Sequence, residues 1–135
     1  MQIFHSLEEN EKAKIITIIS NFLNENKNIE FAYIHGSFVN ANYFRDIDIG
    51  VFIGEECIQE LEKGLENNLS IKLTEMLNYE CDIKIINDSP IQFQYAVLKG
   101  KRIFCRNREV LVRFKEQIYL KYLDFKPVRE QFFDR

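Results

Sequence analysis

The 135-residue chain has no Trp, only two Pro and five Gly, and three Cys. Cys57, Cys81 and Cys105 are odd in number and widely separated, which excludes a paired disulfide framework and any metal site built on cysteine spacing. Free thiols in a reducing compartment are the simplest account, so a cytoplasmic location is expected. Long apolar runs are also missing. The stretch from Ile15 to Leu23 is interrupted by Thr17, Ser20 and Asn21 and falls short of the roughly 20 residues needed to span a bilayer. The N-terminal MQIFHSLEENEKAK has neither the basic opening nor the apolar block of a signal peptide, and no membrane association is expected. An excess of positive charge is absent too. Eighteen basic against twenty-one acidic residues leave a net charge of −3, so binding nucleic acid through bulk charge is disfavoured and no direct nucleic-acid contact is expected. Repeats, low-complexity tracts and linkers are lacking.

What is present is the composition of a soluble globular protein, 46% hydrophobic and 29% charged, with twelve Phe and six Tyr. The length suits a single domain, residues 1–135, around one core. Ser6 and Glu9 have the spacing of a capping box. Ile15, Ile16, Ile19, Phe22 and Leu23 then follow helical spacing, predicting a helix from about Leu7 to Asn24. Phe31 to His35 is a short apolar run ending at Gly36 and reads as a buried strand. Residues 37–42 suit a short helix or turn. Asp46 to Ile53 alternates, with Ile47, Ile49, Val51 and Ile53 on one face and Asp46, Asp48, Gly50 and Phe52 on the other.

Ile58, Leu61, Leu65, Leu69, Leu73 and Met76 form a helical stripe, which Gly64 or Asn67-Asn68 is placed to divide. Glu80 to Ile86 alternates again as a third strand. Ser89-Pro90 starts a helix, with Pro at its first position, and Gly100 stops it. Arg102 to Cys105 is a brief strand, Glu109 to about Tyr122 a last helix, and Pro127 breaks it before a tail suited to a short extra turn. This order predicts an α/β fold with a small mixed sheet flanked by helices.

Chemistry concentrates in HGSFVNANYFRDIDIGVFI, residues 35–53. Asp46 and Asp48 leave the same strand face about 6–7 Å apart at the backbone. Carboxylates this close repel unless a cation lies between them, and a hard divalent ion such as Mg²⁺ suits oxygen donors. Gly36-Ser37 closes the preceding strand. The glycine permits close backbone approach and the hydroxyl can grip phosphate oxygens. Asp82 is an acid inside an otherwise apolar strand, where burial is expensive without a partner; the competing reading is a strand-edge residue, exposed or paired with Lys84. Other candidates read as structural. His35 is treated as a strand-end residue, His5 as unpartnered, Arg45 as exposed without a partner, and Arg106 and Arg108 as a solvated rim. Phe114, Tyr119, Tyr122, Phe125, Phe132 and Phe133 are assigned mainly to the core, with some rings available to a partner.

Gly36-Ser37, a spacer, Asp46-x-Asp48 and a later Asp82 together resemble the pattern of the DNA polymerase β-type nucleotidyltransferases. In particular they look like that family's minimal single-domain members, the MNT antitoxins paired with HEPN toxins. The resemblance runs through nearly the whole chain, although the spacer FVNANYFR is shorter than in many members and lacks glycine. It implies a polymerase β-like nucleotidyltransferase core and Mg²⁺-dependent transfer of AMP from ATP, with two metal ions. Asp46, Asp48 and Asp82 would serve as catalytic metal ligands, with Asp82 also activating the nucleophile. Gly36 and Ser37 would hold the nucleotide phosphates.

The implied acceptor is a tyrosine hydroxyl of a partner HEPN ribonuclease toxin, neutralised by the modification, and homo- and hetero-oligomers are both left open. Two alternatives remain at this point. One is a nucleotidyltransferase for small molecules, akin to the aminoglycoside enzymes; the other is a catalytically silent antitoxin that acts by binding alone.

Overall fold

The alternation in Asp46–Ile53 produces a central strand with an apolar layer on each side. The computed structural model describes residues 3–122. Its elements are α1 (Glu9–Asn24), β1 (Ile29–His35), α2 (Ser37–Asn40), β2 (Asp46–Ile53), α3 (Leu65–Leu77), β3 (Glu80–Ile85), α4 (Ile91–Leu98), β4 (Lys101–Cys105) and α5 (Arg108–Tyr122), with one 3-10 turn at Ile58–Glu60. The sheet order is β3-β2-β1-β4. β1 runs antiparallel to β2 and β4, whereas β2 and β3 are parallel. This is the expected mixed sheet.

Each face of β2 has its own cover. Ile47, Ile49, Val51 and Ile53 pack with Ile15, Ile19 and Leu23 of α1 and Leu73 of α3. On the other face Phe52 joins Phe31, Tyr33, Val97 of α4, and Leu111, Phe114 and Ile118 of α5. Each fully buried Ile, Leu or Phe contributes about 1.5–3 kcal/mol, so a one-residue slip of β2 would invert both layers at a cost of many such terms. Gly50 lets α4 lie close, because a Cβ there would come within 2.7 Å of Val97 Cγ1. The carboxylates at the start of β2 lie on this same α4 face.

Several local expectations are corrected. Helix α1 starts at Glu9 behind Glu8, with no side-chain cap; Ser6 and Glu9 form no capping box. The preceding backbone is engaged elsewhere, since His5 and Phe44 exchange two backbone hydrogen bonds of 2.8 and 3.0 Å. His5 therefore has partners, including an edge contact with Tyr79 at 4.8 Å. The long stripe does break at Gly64, whose backbone is left-handed, and Met76 turns out of the core at 53% exposure. Restarting at Leu65 aims Leu69, Leu73 and Leu77 inward and leaves position 76 off that face.

Pro90 stands at the N-cap of α4, one position before the helix. Arg106 is no free rim residue: its guanidinium donates to the carbonyls of Ile29, Asn24 and Asn26. The three cysteines are free, and burial pushes the Cys81 thiol up to about 12, away from thiolate chemistry. Among the described residues no helix is long and apolar enough to cross a membrane. The expectations for the Tyr122 side chain, Phe125, Pro127, Phe132, Phe133 and the final turn lie outside the described residues.

Candidate active site

Three strands bring the predicted residues to one end of the sheet. In the β1–β2 ladder His35 is opposite Asp48, and in the β2–β3 ladder Asp48 is opposite Asp82 while Asp46 is opposite Glu80. Asp48 is thus the middle member of a row running His35, Asp48, Asp82 across neighbouring strands, spaced at about 5 Å per strand. Side-chain direction repeats every two residues, so Asp46, Asp48 and Asp82 share the sheet face on which Phe52 and Ile86 are buried.

Gly36 is fitted to this row. Its φ of 81° and ψ of −156° belong to a region essentially reserved for glycine. A Cβ on it would come within 2.8 Å of Asp48 Oδ2, so the missing side chain is what allows that carboxylate to sit against the turn. Ser37 follows as the first, exposed residue of α2. Gly36 is therefore brought against Asp48, and Ser37 beside it in the chain faces solvent.

The three carboxylates differ in environment. Asp48 is half-buried, and burial raises its pKa above the usual carboxylate range; His35 opposes that shift, while Asp82 and Asp46 add to it. Asp46 is 31% exposed and lies 3.4 Å from Arg45. Arg45 thus has a partner, contrary to the sequence expectation. Asp82 is 52% exposed and 4.0 Å from Lys84, so the predicted cost of burying it does not arise. β3 is an edge strand, and at Asp82 its polar face opens to solvent.

Among the described residues no group of three or more His, Cys, Asp or Glu side chains stands gathered for a metal ion. The donor set nevertheless fits a hard divalent cation. All three acids offer oxygen ligands, and a cation beside Asp48 would relieve the repulsion from Asp82 and Asp46 that adds to the effect of burial. The solvent-exposed partners Arg45 and Lys84 offer little resistance, since such pairs contribute about 0–1 kcal/mol.

Two residues carry more than their sequence suggested. His35 is half-buried, its Nε2 finds no hydrogen-bond partner among the described residues, and its ring meets Phe93 edge-on at 5.5 Å. Burial lowers its pKa against the pull of Asp48 and Asp82. Lys12 was missed altogether. It is 9% exposed, and its ammonium donates to the carbonyls of Phe38 at 2.8 Å and Ala41 at 3.5 Å, tying α1 to the turn that follows Ser37. The available signal was its place in the helical stripe of Ile15, Ile19 and Leu23.

A groove of about 660 Å³ runs along the outer edge of β3, with Arg45, Asp46 and Asp82 at one side and Asn67, Ser70, Ile71 and Thr74 of α3 at the other. It would give an acceptor group access to Asp82. The cavity lined by Glu30, Phe52 and Arg113 is separate and contains none of the predicted site residues.

Comparison with known proteins is consistent with this geometry. The chain is similar in fold to a chain in several solved complexes. One is described as a tri-AMPylated Shewanella oneidensis HEPN toxin in complex with MNT antitoxin, at 18% identity and TM-score 0.67, covering 91% of this chain and 96% of that one. A second, described as the toxin-antitoxin MntA-HepT, matches at 18% identity and TM-score 0.66, covering 90% and 96%. A third, a toxin-antitoxin with AMP-PNP, matches at 20% identity and TM-score 0.67, covering 88% and 95%. No curated protein matches the chain by sequence. The family model described as polymerase beta, nucleotidyltransferase matches residues 17–109, a span that includes Gly36, Ser37 and all three aspartates and more than half of the chain. The protein therefore belongs to the polymerase beta nucleotidyltransferase family.

Proposed function

We propose that this chain acts, as a single catalytic domain, as an antitoxin-type adenylyltransferase that moves AMP from ATP to a tyrosine of a HEPN-type ribonuclease partner. The observation that carries this reading is the row of Asp48 and Asp82 across β2 and β3, with Asp46 two residues away and the Gly36 turn against Asp48. Acceptor identity draws its support from likeness in fold. A structure of similar size and topology is described as an MNT antitoxin bound to an AMPylated HEPN toxin, and another contains AMP-PNP.

Asp46, Asp48 and Asp82 would hold Mg²⁺, two ions in this reading, whose chemistry is to neutralise triphosphate charge and align the in-line displacement. The chain's own groups do the rest. The Gly36 amide and Ser37 hydroxyl hold the β and γ phosphates, and the absence of a Gly36 side chain lets the Asp48 carboxylate sit against the same turn. Asp82, open to the groove on the β3 edge, receives the phenolic proton. The tyrosine oxygen bonds to the α-phosphorus as the bond to the bridging oxygen breaks, and pyrophosphate leaves.

The test is incubation of the purified chain with ATP labelled at the α-phosphate and Mg²⁺, with and without the product of the adjacent gene. Label on a tyrosine of that protein, lost in Asp46→Asn and Asp48→Asn variants, is the expected result. Full neutralisation of the partner by those variants would overturn catalysis as the mechanism. Label on an added aminoglycoside and none on protein would overturn the protein acceptor.

A further inference from the structure

β3 is an edge strand, yet its outward backbone N–H groups are taken up by one helix. The Cys81 N–H donates to Thr74 Oγ1 at 3.0 Å, the Ile83 N–H to Ser70 Oγ at 2.9 Å, and the Ile85 N–H to Glu66 Oε2 at 2.6 Å. The three acceptors are spaced by four along α3 and the three donors by two along β3. Four helical residues rise about 6 Å and two strand residues about 6.6 Å, so the two repeats stay in step for three rungs. Such a ladder closes an edge that would otherwise offer unpaired groups to another strand.

Its placement points to a second role. Two of the rungs, at Cys81 and Ile83, flank Asp82 on either side. The Asp82 side chain is half exposed, and Lys84 at 4.0 Å, itself 54% exposed, is its ion-pair neighbour among the described residues. A loose contact of that kind does not fix a carboxylate. Asp82 is instead fixed through its backbone: by β2 on one side, where it faces Asp48, and by the two α3 hydroxyls on the other. We propose that Ser70 and Thr74 are positioning residues that hold Asp82 in register with Asp48, so that the edge strand can present a catalytic carboxylate without burying it. The inference rests on the assignment of Asp82 to the active site made above.

The test compares Ser70→Ala and Thr74→Val, which remove the acceptor, with Ser70→Thr and Thr74→Ser, which keep it. Two readouts are taken: steady-state AMP transfer to the partner, and Mn²⁺ binding in the presence of a non-hydrolysable ATP analogue, followed by water-proton relaxation. Losing a group that orients a metal ligand weakens metal affinity or activity about 10- to 100-fold. Ser70→Ala and Thr74→Val are expected at the lower end of that range in both kcat and Mn²⁺ affinity, with KM for ATP little changed. The hydroxyl-retaining variants are expected near the parent protein.

Glu66→Ala removes the rung remote from Asp82 and serves as the control, lowering Tm while kcat stays within about twofold, as for a change acting on stability alone. Equal losses of kcat in all three rungs, or a fall in Tm with Mn²⁺ affinity and kcat intact in the Ser70 and Thr74 variants, would overturn the proposal in favour of simple edge closure. If the parent protein labels no partner, the acceptor assignment fails, and the Mn²⁺ titration still decides the role of the hydroxyls. No Mn²⁺ binding by the parent overturns both.

Discussion

His35 faces Asp48 across the β1–β2 ladder, pairing a base whose pKa is lowered with an acid whose pKa is raised, burial being the main cause of both. Each group is pushed toward its neutral form, and their mutual attraction only partly offsets this. For His35 the folded pKa lies below the ordinary value of 6.5. Its contribution to stability is complete above 6.5 and is lost as pH falls through 6.5 toward the lowered value, because the unfolded chain takes up the proton first. Acidification over that window should therefore lower the urea midpoint, and His35→Phe should flatten the decline. An unchanged slope in His35→Phe would show that other groups are responsible.

Asp48 has the opposite sign. With its folded pKa raised above 3.8, its contribution is greatest below 3.8 and is lost as pH rises through the raised value. Above that value the charged carboxylate is thus a net burden on the fold. Asp48→Asn should abolish AMP transfer while raising stability by up to about 1 kcal/mol, a limit set by the solvent screening of a half-exposed charge. Calorimetry beside the transfer assay checks this, and a variant that loses both Tm and activity contradicts it.

How much of this was legible beforehand depended on the range of the forces involved. The bounds of β2 and the two faces of Asp46–Ile53 were readable because a period of two repeats over eight residues and both faces are buried. Gly36-Ser37 and the three aspartates were readable as a pattern, but the register that makes Asp48 the middle of a row was not, since sequence says nothing about which residues face across strands. For Asp82 only the expected burial was wrong, since an acid between apolar neighbours looks costly until β3 is known to be an edge; the competing reading of an exposed strand-edge residue paired with Lys84 describes its surroundings. Ser6 lost its capping role to a pairing between residues 5 and 44, beyond any local signal. Arg106 likewise binds carbonyls some eighty residues earlier.

Lys12 carries the next prediction. Its buried ammonium holds the carbonyls of Phe38 and Ala41 and stacks over the Phe38 ring at 5.2 Å. These bonds brace the short, glycine-free segment between Ser37 and Asp46. Lys12→Met keeps the chain length and removes the donor, which should cost about 1–3 kcal/mol, the range for a charged bond lost at a buried acceptor. The loosened turn should raise KM for ATP several-fold with a smaller change in kcat. Denaturant melts and the transfer assay check both parts; a loss of stability with KM unchanged would confine Lys12 to packing.

Gly36 gives the sharpest contrast, because two separate penalties meet there. Its backbone conformation is strained for any other residue, at about 1–3 kcal/mol, and a Cβ would press on Asp48 Oδ2. Gly64 has nearly the same φ, 82° against 81°, but open space around the Cβ position. Gly64→Ala should therefore cost only the left-handed penalty of about 1–2 kcal/mol and leave AMP transfer intact. Gly36→Ala should cost as much or more and also displace Asp48, reducing kcat by about 100-fold, as a misplacement near 1 Å can. Measuring Tm and kcat for both variants separates strain from the clash. Equal kcat in the two would mean that the carboxylate yields to the new methyl group, and that Gly36 is required by the turn alone.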